Sequence, residues 1–159
     1  MFRRINCICS VVIVTIVLPI GQVSAQVPSQ GKYITEATSR LTKLIDQSNA
    51  QGYTLGNDVF SIGGGWLKQG NDNWVALYTI NLKQGTQYRF LAAGDFDAKD
   101  VDLDIQNPQG KSVKQDVHTN AEAVVDFSPP TSGRYLIRVR LYGSRNNLPC
   151  YCVAVALRK

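Results

Sequence analysis

Five aspartates fall within ten residues: Asp95, Asp97, Asp100, Asp102 and Asp104. Carboxylates are the hard oxygen ligands that calcium takes, but they have to converge within about 2.3–2.6 Å of one ion. Alternation along a strand puts Asp100, Asp102 and Asp104 on one face at steps of about 6.6 Å, so the outer two stand about 13 Å apart and cannot share an ion. Calcium, if held at all, is expected weakly at Asp95, Asp97 and Asp102, the first two in the preceding loop. The favoured reading is an outer strand face that solvent reaches, its acids paired across strands with Arg89, Arg138 or Arg140. No other cofactor is expected.

Arg138 and Arg140 alternate along a strand that ends in Tyr142. Guanidinium forks suit carboxylates and carbonyls, and a tyrosine ring offers a flat surface with a polar tip. These three residues form the candidate binding face, extended by Arg89 if its strand is a neighbour. The bland alternative is that the arginines only neutralise Asp100, Asp102 and Asp104. No catalytic residue is expected. His118 is the lone histidine, in a polar stretch, and there is no nucleophile elbow, zinc-ligand spacing or phosphate loop. Gly63-Gly64-Gly65 lacks the strand-before, helix-after context of a phosphate site and is expected to be a flexible turn or a bulge. Cys150 and Cys152 project to one side of a strand, which leaves a strained local bridge, bridges to another chain, or burial beneath a helix. Burial is favoured, because Ala154 and Ala156 continue the same small-residue row.

These side chains need a frame. Residues 33–50 carry Ile34, Ala37, Leu41, Leu44 and Ile45 at helical spacing, with Glu36, Arg40, Lys43, Asp46 and Gln47 facing away and Gly52 placed to end the helix. So short an amphipathic helix must pack on something, and a sheet is the obvious support. From residue 53 the alternation becomes that of strands, expected at 59–62, 73–82, 86–93, 100–105, 112–117, 122–127, 134–142 and 150–157, with a weaker signal at 66–67. The strand at 73–82 is apolar on both faces, which predicts a central position or cover from the helix. In the last strand Tyr151, Val153, Val155 and Leu157 are expected to be buried. Asn107-Pro108-Gln109-Gly110 has its proline and glycine where a type I turn favours them. The fold class is mainly β: an antiparallel β-sandwich, jelly-roll-like, of about eight strands with one N-terminal amphipathic helix packed on it.

The chain of 159 residues opens with Arg3 and Arg4, an almost wholly apolar run at 5–20, and small residues up to Ala25. This is the layout of a secretory signal peptide cleaved after Ala25, and the run is short for a retained span. The expected organisation is a signal peptide at 1–25, a flexible leader and amphipathic helix at 26–52, and a sandwich domain at 53–159. Cleavage removes Arg3, Arg4 and no acid, so the formal charge falls from +5 to +3. That mild balance, with no basic block interleaved with aromatics, argues against nucleic acid as a partner. Only Cys150 and Cys152 would remain, too few for a disulfide-stapled scaffold.

Several short motifs run through residues 73–155: Gly85-x-x-Tyr88-x-Phe90, Gly94-Asp95, Asp102-Leu103-Asp104, Pro108-x-Gly110, Glu122, Phe127, Pro129 or Pro130, Gly133-x-Tyr135-x-Ile137-x-Val139, and Tyr142. In these the chain resembles the bacterial pre-peptidase C-terminal domain, a β-sandwich related to bacterial collagen-binding domains. The resemblance implies a domain appended to secreted proteases, yet the mature segment ahead of it is too short to hold one. Collagen-binding relatives place calcium carboxylates in a linker upstream of the sandwich. Here that region has only scattered Glu36, Asp46 and Asp58, so their calcium does not carry over.

The expected function is that of an exported, secreted or periplasmic, non-catalytic binding module. It would recognise an extracellular or envelope protein, peptide or glycan through an exposed sheet face, with no stable membrane span after cleavage. The alternative is a structural accessory subunit of a cell-envelope complex without a soluble ligand.

Overall fold

The computed structural model describes residues 30–56 and 60–159, so the signal peptide, the leader up to residue 29, Asp58 and Val59 lie outside the described residues. Helix α1 (Gln30–Asn49) is followed by β1 (Ile62–Leu67), β2 (Val75–Leu82), β3 (Tyr88–Gly94), β4 (Ala98–Gln106), β5 (Ser112–Asp116), β6 (Glu122–Phe127), β7 (Gly133–Ser144) and β8 (Cys150–Arg158). The strands form two four-stranded antiparallel sheets, β1-β8-β3-β6 (sheet 1) and β2-β7-β4-β5 (sheet 2). All connections except β4 to β5 cross from one sheet to the other, which is the order of a jelly roll. The expected sandwich with a single packed helix is the observed architecture.

Ala37, Leu41, Leu44 and Ser48 form the buried stripe of α1, at steps of three and four residues. The stripe rests on Leu91 and Ala93 of β3 and on Val153, Val155 and Leu157 of β8. Ile34, expected in that contact, is 39% exposed although it continues the stripe one turn ahead of Ala37, so the buried part of the stripe begins only at Ala37. The helix ends in a Schellman turn: the Gly52 N–H donates to the Asn49 carbonyl at 2.9 Å and the Tyr53 N–H to the Ser48 carbonyl at 3.1 Å. Gly52 takes the positive φ of 86° that this turn requires. Thr54 then exchanges backbone hydrogen bonds with Arg158, at 2.7 and 2.8 Å, which ties the helix exit to the end of β8 and fixes α1 over sheet 1.

Three expectations about placement are corrected. Cys150, Cys152, Ala154 and Ala156 line the core between the sheets, whereas the larger Val153, Val155 and Leu157 meet the helix. The reason is volume: Phe90 lies opposite Ala156, and Tyr135, Ile137 and Leu103 project into the same core, leaving room only for small groups on β8. Strand β2 is an edge of sheet 2 and mostly exposed, neither central nor under the helix. Gly63, Gly64 and Gly65 lie inside β1, paired residue by residue with Ala154, Val153 and Cys152, not in a turn or bulge. A Cβ at Gly63 would stand 2.7 Å from the Tyr78 ring, and one at Gly64 would stand 2.9 Å from the Cys152 carbonyl oxygen. Close approach, rather than flexibility, accounts for those two.

Candidate functional site

The helix covers sheet 1 and leaves the outer face of sheet 2 bare. Along β4, Val101, Leu103 and Ile105 point to the core, so Asp100, Asp102 and Asp104 point outward. They are nonetheless buried, and β7 lays its long side chains across Asp102 and Asp104. Register sets Arg140 opposite Asp102 and Arg138 opposite Asp104. Arg140 donates to Asp102 Oδ2 from Nε at 2.7 Å, with Nη2 at 2.6 Å from the same oxygen, and also donates to the Asn71 carbonyl. Arg138 donates to Asp104 Oδ2 from Nε at 2.8 Å and from Nη2 at 2.7 Å. Ser112 of β5 donates to the other Asp104 oxygen at 2.5 Å. The cross-strand pairing expected of Asp102 and Asp104 is present, but their carboxylates are buried and only the arginine arms are partly exposed.

Aromatic rings complete the layer. Trp74 lies against both guanidinium groups, its centroid 4.6 Å from Arg140 and 5.3 Å from Arg138, and Tyr142 is 4.9 Å from Arg140. Tyr142 is 44% exposed. Simple alternation would send Trp74 inward with Tyr78. A register shift between Ala76 and Tyr78 breaks the parity, so Ala76 faces Arg138 on the outside while Tyr78 faces Ile137 within. Nothing in the sequence announces that bulge, and Trp74 was therefore missed.

Arg89 belongs elsewhere. Strand β3 is in sheet 1, where Arg89 forms a fork to Asp126 at 2.6 and 2.7 Å, donates to Gln51 at 2.8 Å and stacks 4.2 Å from the Tyr53 ring. The hydrogen bonds it donates to Asp126 favour the charged form of Arg89 and hold it more firmly protonated than usual. It anchors the exit of α1 and does not extend the face formed by Arg138, Arg140 and Tyr142.

Asp95, Asp97 and Asp102 do not come together. Asp95 accepts the Asp97 N–H at 3.0 Å and the Tyr151 N–H at 2.7 Å, which shapes the β3–β4 turn and pins it to β8. Asp97 faces Arg145 at 3.5 Å, while Asp102 lies in the outer layer of sheet 2. Among the described residues no three His, Cys, Asp or Glu side chains gather as a metal would need.

His118 is exposed, with Nδ1 2.8 Å from Asp116 Oδ1. Burial pushes the Asp116 carboxyl up, but hydrogen bonds from the Val124 and His118 amides and the imidazole outweigh it and hold the group below the usual carboxylate range. A cavity of about 450 Å³ opens between the sheets near Phe60, Ile80, Lys83, Tyr88 and Leu157. Its lining, among the described residues, includes no carboxylate, imidazole or thiol.

Asp100 is the odd member of the acidic row. The register shifts on both sides of it, so it faces Gly143 instead of a third arginine, and its buried Oδ1 has no hydrogen-bond partner among the described residues. Burial, and then the charge of Asp102, push its carboxyl above the usual range. A raised folded-state value means that protonation favours the folded state, an advantage complete below the unfolded value and lost as pH rises through the folded one. Asp100→Asn should therefore raise the melting temperature at neutral pH, with the gain shrinking as the pH falls. Melting curves of both forms from acid to neutral pH check this; a uniform loss at every pH would count against it.

With the geometry in place, comparison with known proteins adds little. No protein-family model matches the chain, and no curated protein does. Among solved structures, PliG of Aeromonas hydrophila, a periplasmic lysozyme inhibitor of g-type lysozyme, matches with a TM-score of 0.39 and 17% identity over 62% of this chain and 84% of that chain. At that distance nothing about function passes from one protein to the other.

Proposed function

We propose that this protein is an exported, non-catalytic binding module that docks a protein partner on the outer face of sheet 2. Export rests on the signal-peptide layout of the first 25 residues. The observation that carries the reading is the stack of Trp74, Arg140 and Tyr142 on the sheet face that the helix leaves uncovered. Rigid aromatic rings with arginine are the composition of interface hot spots, and low side-chain freedom reduces the entropy lost on binding. The guanidinium forks are occupied by Asp102 and Asp104, so recognition uses the flat ring surfaces rather than free arginine donors.

The test is capture of a partner from the cell-envelope fraction, followed by titration of the captured protein. Tyr142→Ala should weaken binding by about 2 kcal/mol or more, roughly thirtyfold in Kd, with the melting temperature unchanged. Ile34→Ala, on the opposite side of the molecule, should leave binding intact. If Tyr142→Ala and Trp74→Ala both bind like the parent, this face is not the site.

A further inference from the structure

Gly65 is the one glycine of β1 that the fold does not explain. Gly63 and Gly64 are required by the Tyr78 ring and the Cys152 carbonyl, but a Cβ at Gly65 would meet nothing within 4 Å. Its φ is not positive, and β1 pairs with β8 without a register shift. A glycine inside a strand, with neither a bulge nor an internal neighbour to require it, often marks a place where a ligand or another backbone comes close. No such backbone belongs to this chain among the described residues.

Strand β1 is an edge of sheet 1, paired on one side with β8. Edges are normally blunted by lysine, proline or a bulge. The segment Ile62–Leu67 has none of these and carries no charge. Its outward row is apolar: Ile62 is 53% exposed, and Trp66, though packed edge-on against Tyr33 and Tyr151, is still 42% exposed.

The segment also complements itself. In antiparallel pairing, opposed residues share a face, so only registers that keep parity preserve the two faces of the sandwich. Centred on Gly64, such a register sets Ile62 opposite the partner's Trp66, so Ile62 gains an apolar neighbour and the part of Trp66 that Tyr33 and Tyr151 leave exposed is covered. On the inner row it sets Gly63 opposite the partner's Gly65, at the place where Leu77 and Tyr78 crowd β1. A side chain at 65 would have to enter that space. One step further along that row, Lys68 meets the partner's Phe60 instead of another cation, which matters between two copies of a chain with a net positive charge.

We propose that two copies of this chain pair through β1, antiparallel about Gly64, to form one continuous sheet across a twofold axis. The contact lies on sheet 1, apart from Trp74 and Tyr142, and does not depend on the binding role assigned to them. Sedimentation of the purified protein over a wide concentration range tests it, and a monomer–dimer equilibrium is expected. A Cβ at Gly65 meets nothing in the monomer and valine favours a strand, so at high dilution Gly65→Val should melt no lower than the parent, while its dimer should weaken by at least about tenfold. Ile62→Asp should do the same by setting a carboxylate against the electron-rich face of the partner's Trp66. A protein that stays monomeric throughout, or a dimer that either substitution leaves intact, overturns the proposal.

Discussion

Arg140→Ala is expected to destabilise the protein by about 3–5 kcal/mol, the cost of stranding a buried charge. Asp102 is 1% exposed, and burial already pushes its carboxyl above the usual range despite Arg140. Removing the guanidinium leaves that carboxylate without its counter-ion, frees the Asn71 carbonyl and takes the middle layer out of the Trp74–Tyr142 stack. Replacing both partners, Asp102→Leu with Arg140→Met, should recover most of the loss because no buried charge is left. Arg89→Ala provides the contrast. The Asp126 side chain is 53% exposed, so water takes over its solvation and about 1 kcal/mol or less is expected from that pair. Denaturant titrations of the variants decide the matter; a loss below 1 kcal/mol for Arg140→Ala would mean that solvent reaches Asp102.

Leu41→Ala should lower stability by about 2–5 kcal/mol through a cavity under the helix. Leu41 is 2% exposed and packs in the cluster of Leu91, Val153, Val155 and Leu157. Ile34→Ala should change little. Thermal melts of the two variants side by side provide the check. Equal behaviour would show that α1 contributes as an appendage and not as a cover of sheet 1.

Element types were legible in the sequence because they depend on local chemistry. The alternation of Tyr135, Ile137 and Val139 specifies a half-buried strand, and these residues are the core face of β7. Gly85 and Gly110 take positive φ values of 78° and 76° at turns. Strand order was not legible, since it arises from contacts between residues far apart in the chain. Arg89 and Arg138 look alike in sequence, and only the assignment of β3 and β7 to different sheets separates them. The swap of faces in β8 has a similar origin: a strand buried on both sides has no polar row to orient it. The three carboxylates of β4 read as an open face, because the length of an arginine arm laid over a neighbouring strand leaves no mark in the spacing of the acids.

Cys150 and Cys152 are free thiols sealed in the core between the sheets. Burial, reinforced by the charge of Asp95, pushes the Cys150 thiol up to about 12, and burial raises Cys152 as well. Thiolate is the reactive form, so in the native state neither sulfur answers to oxidants or alkylating reagents. Both become reactive only when the two sheets part. The rate at which the chain without its first 25 residues, which hold Cys7 and Cys9, takes up a thiol reagent is therefore a clock for how often the sandwich opens.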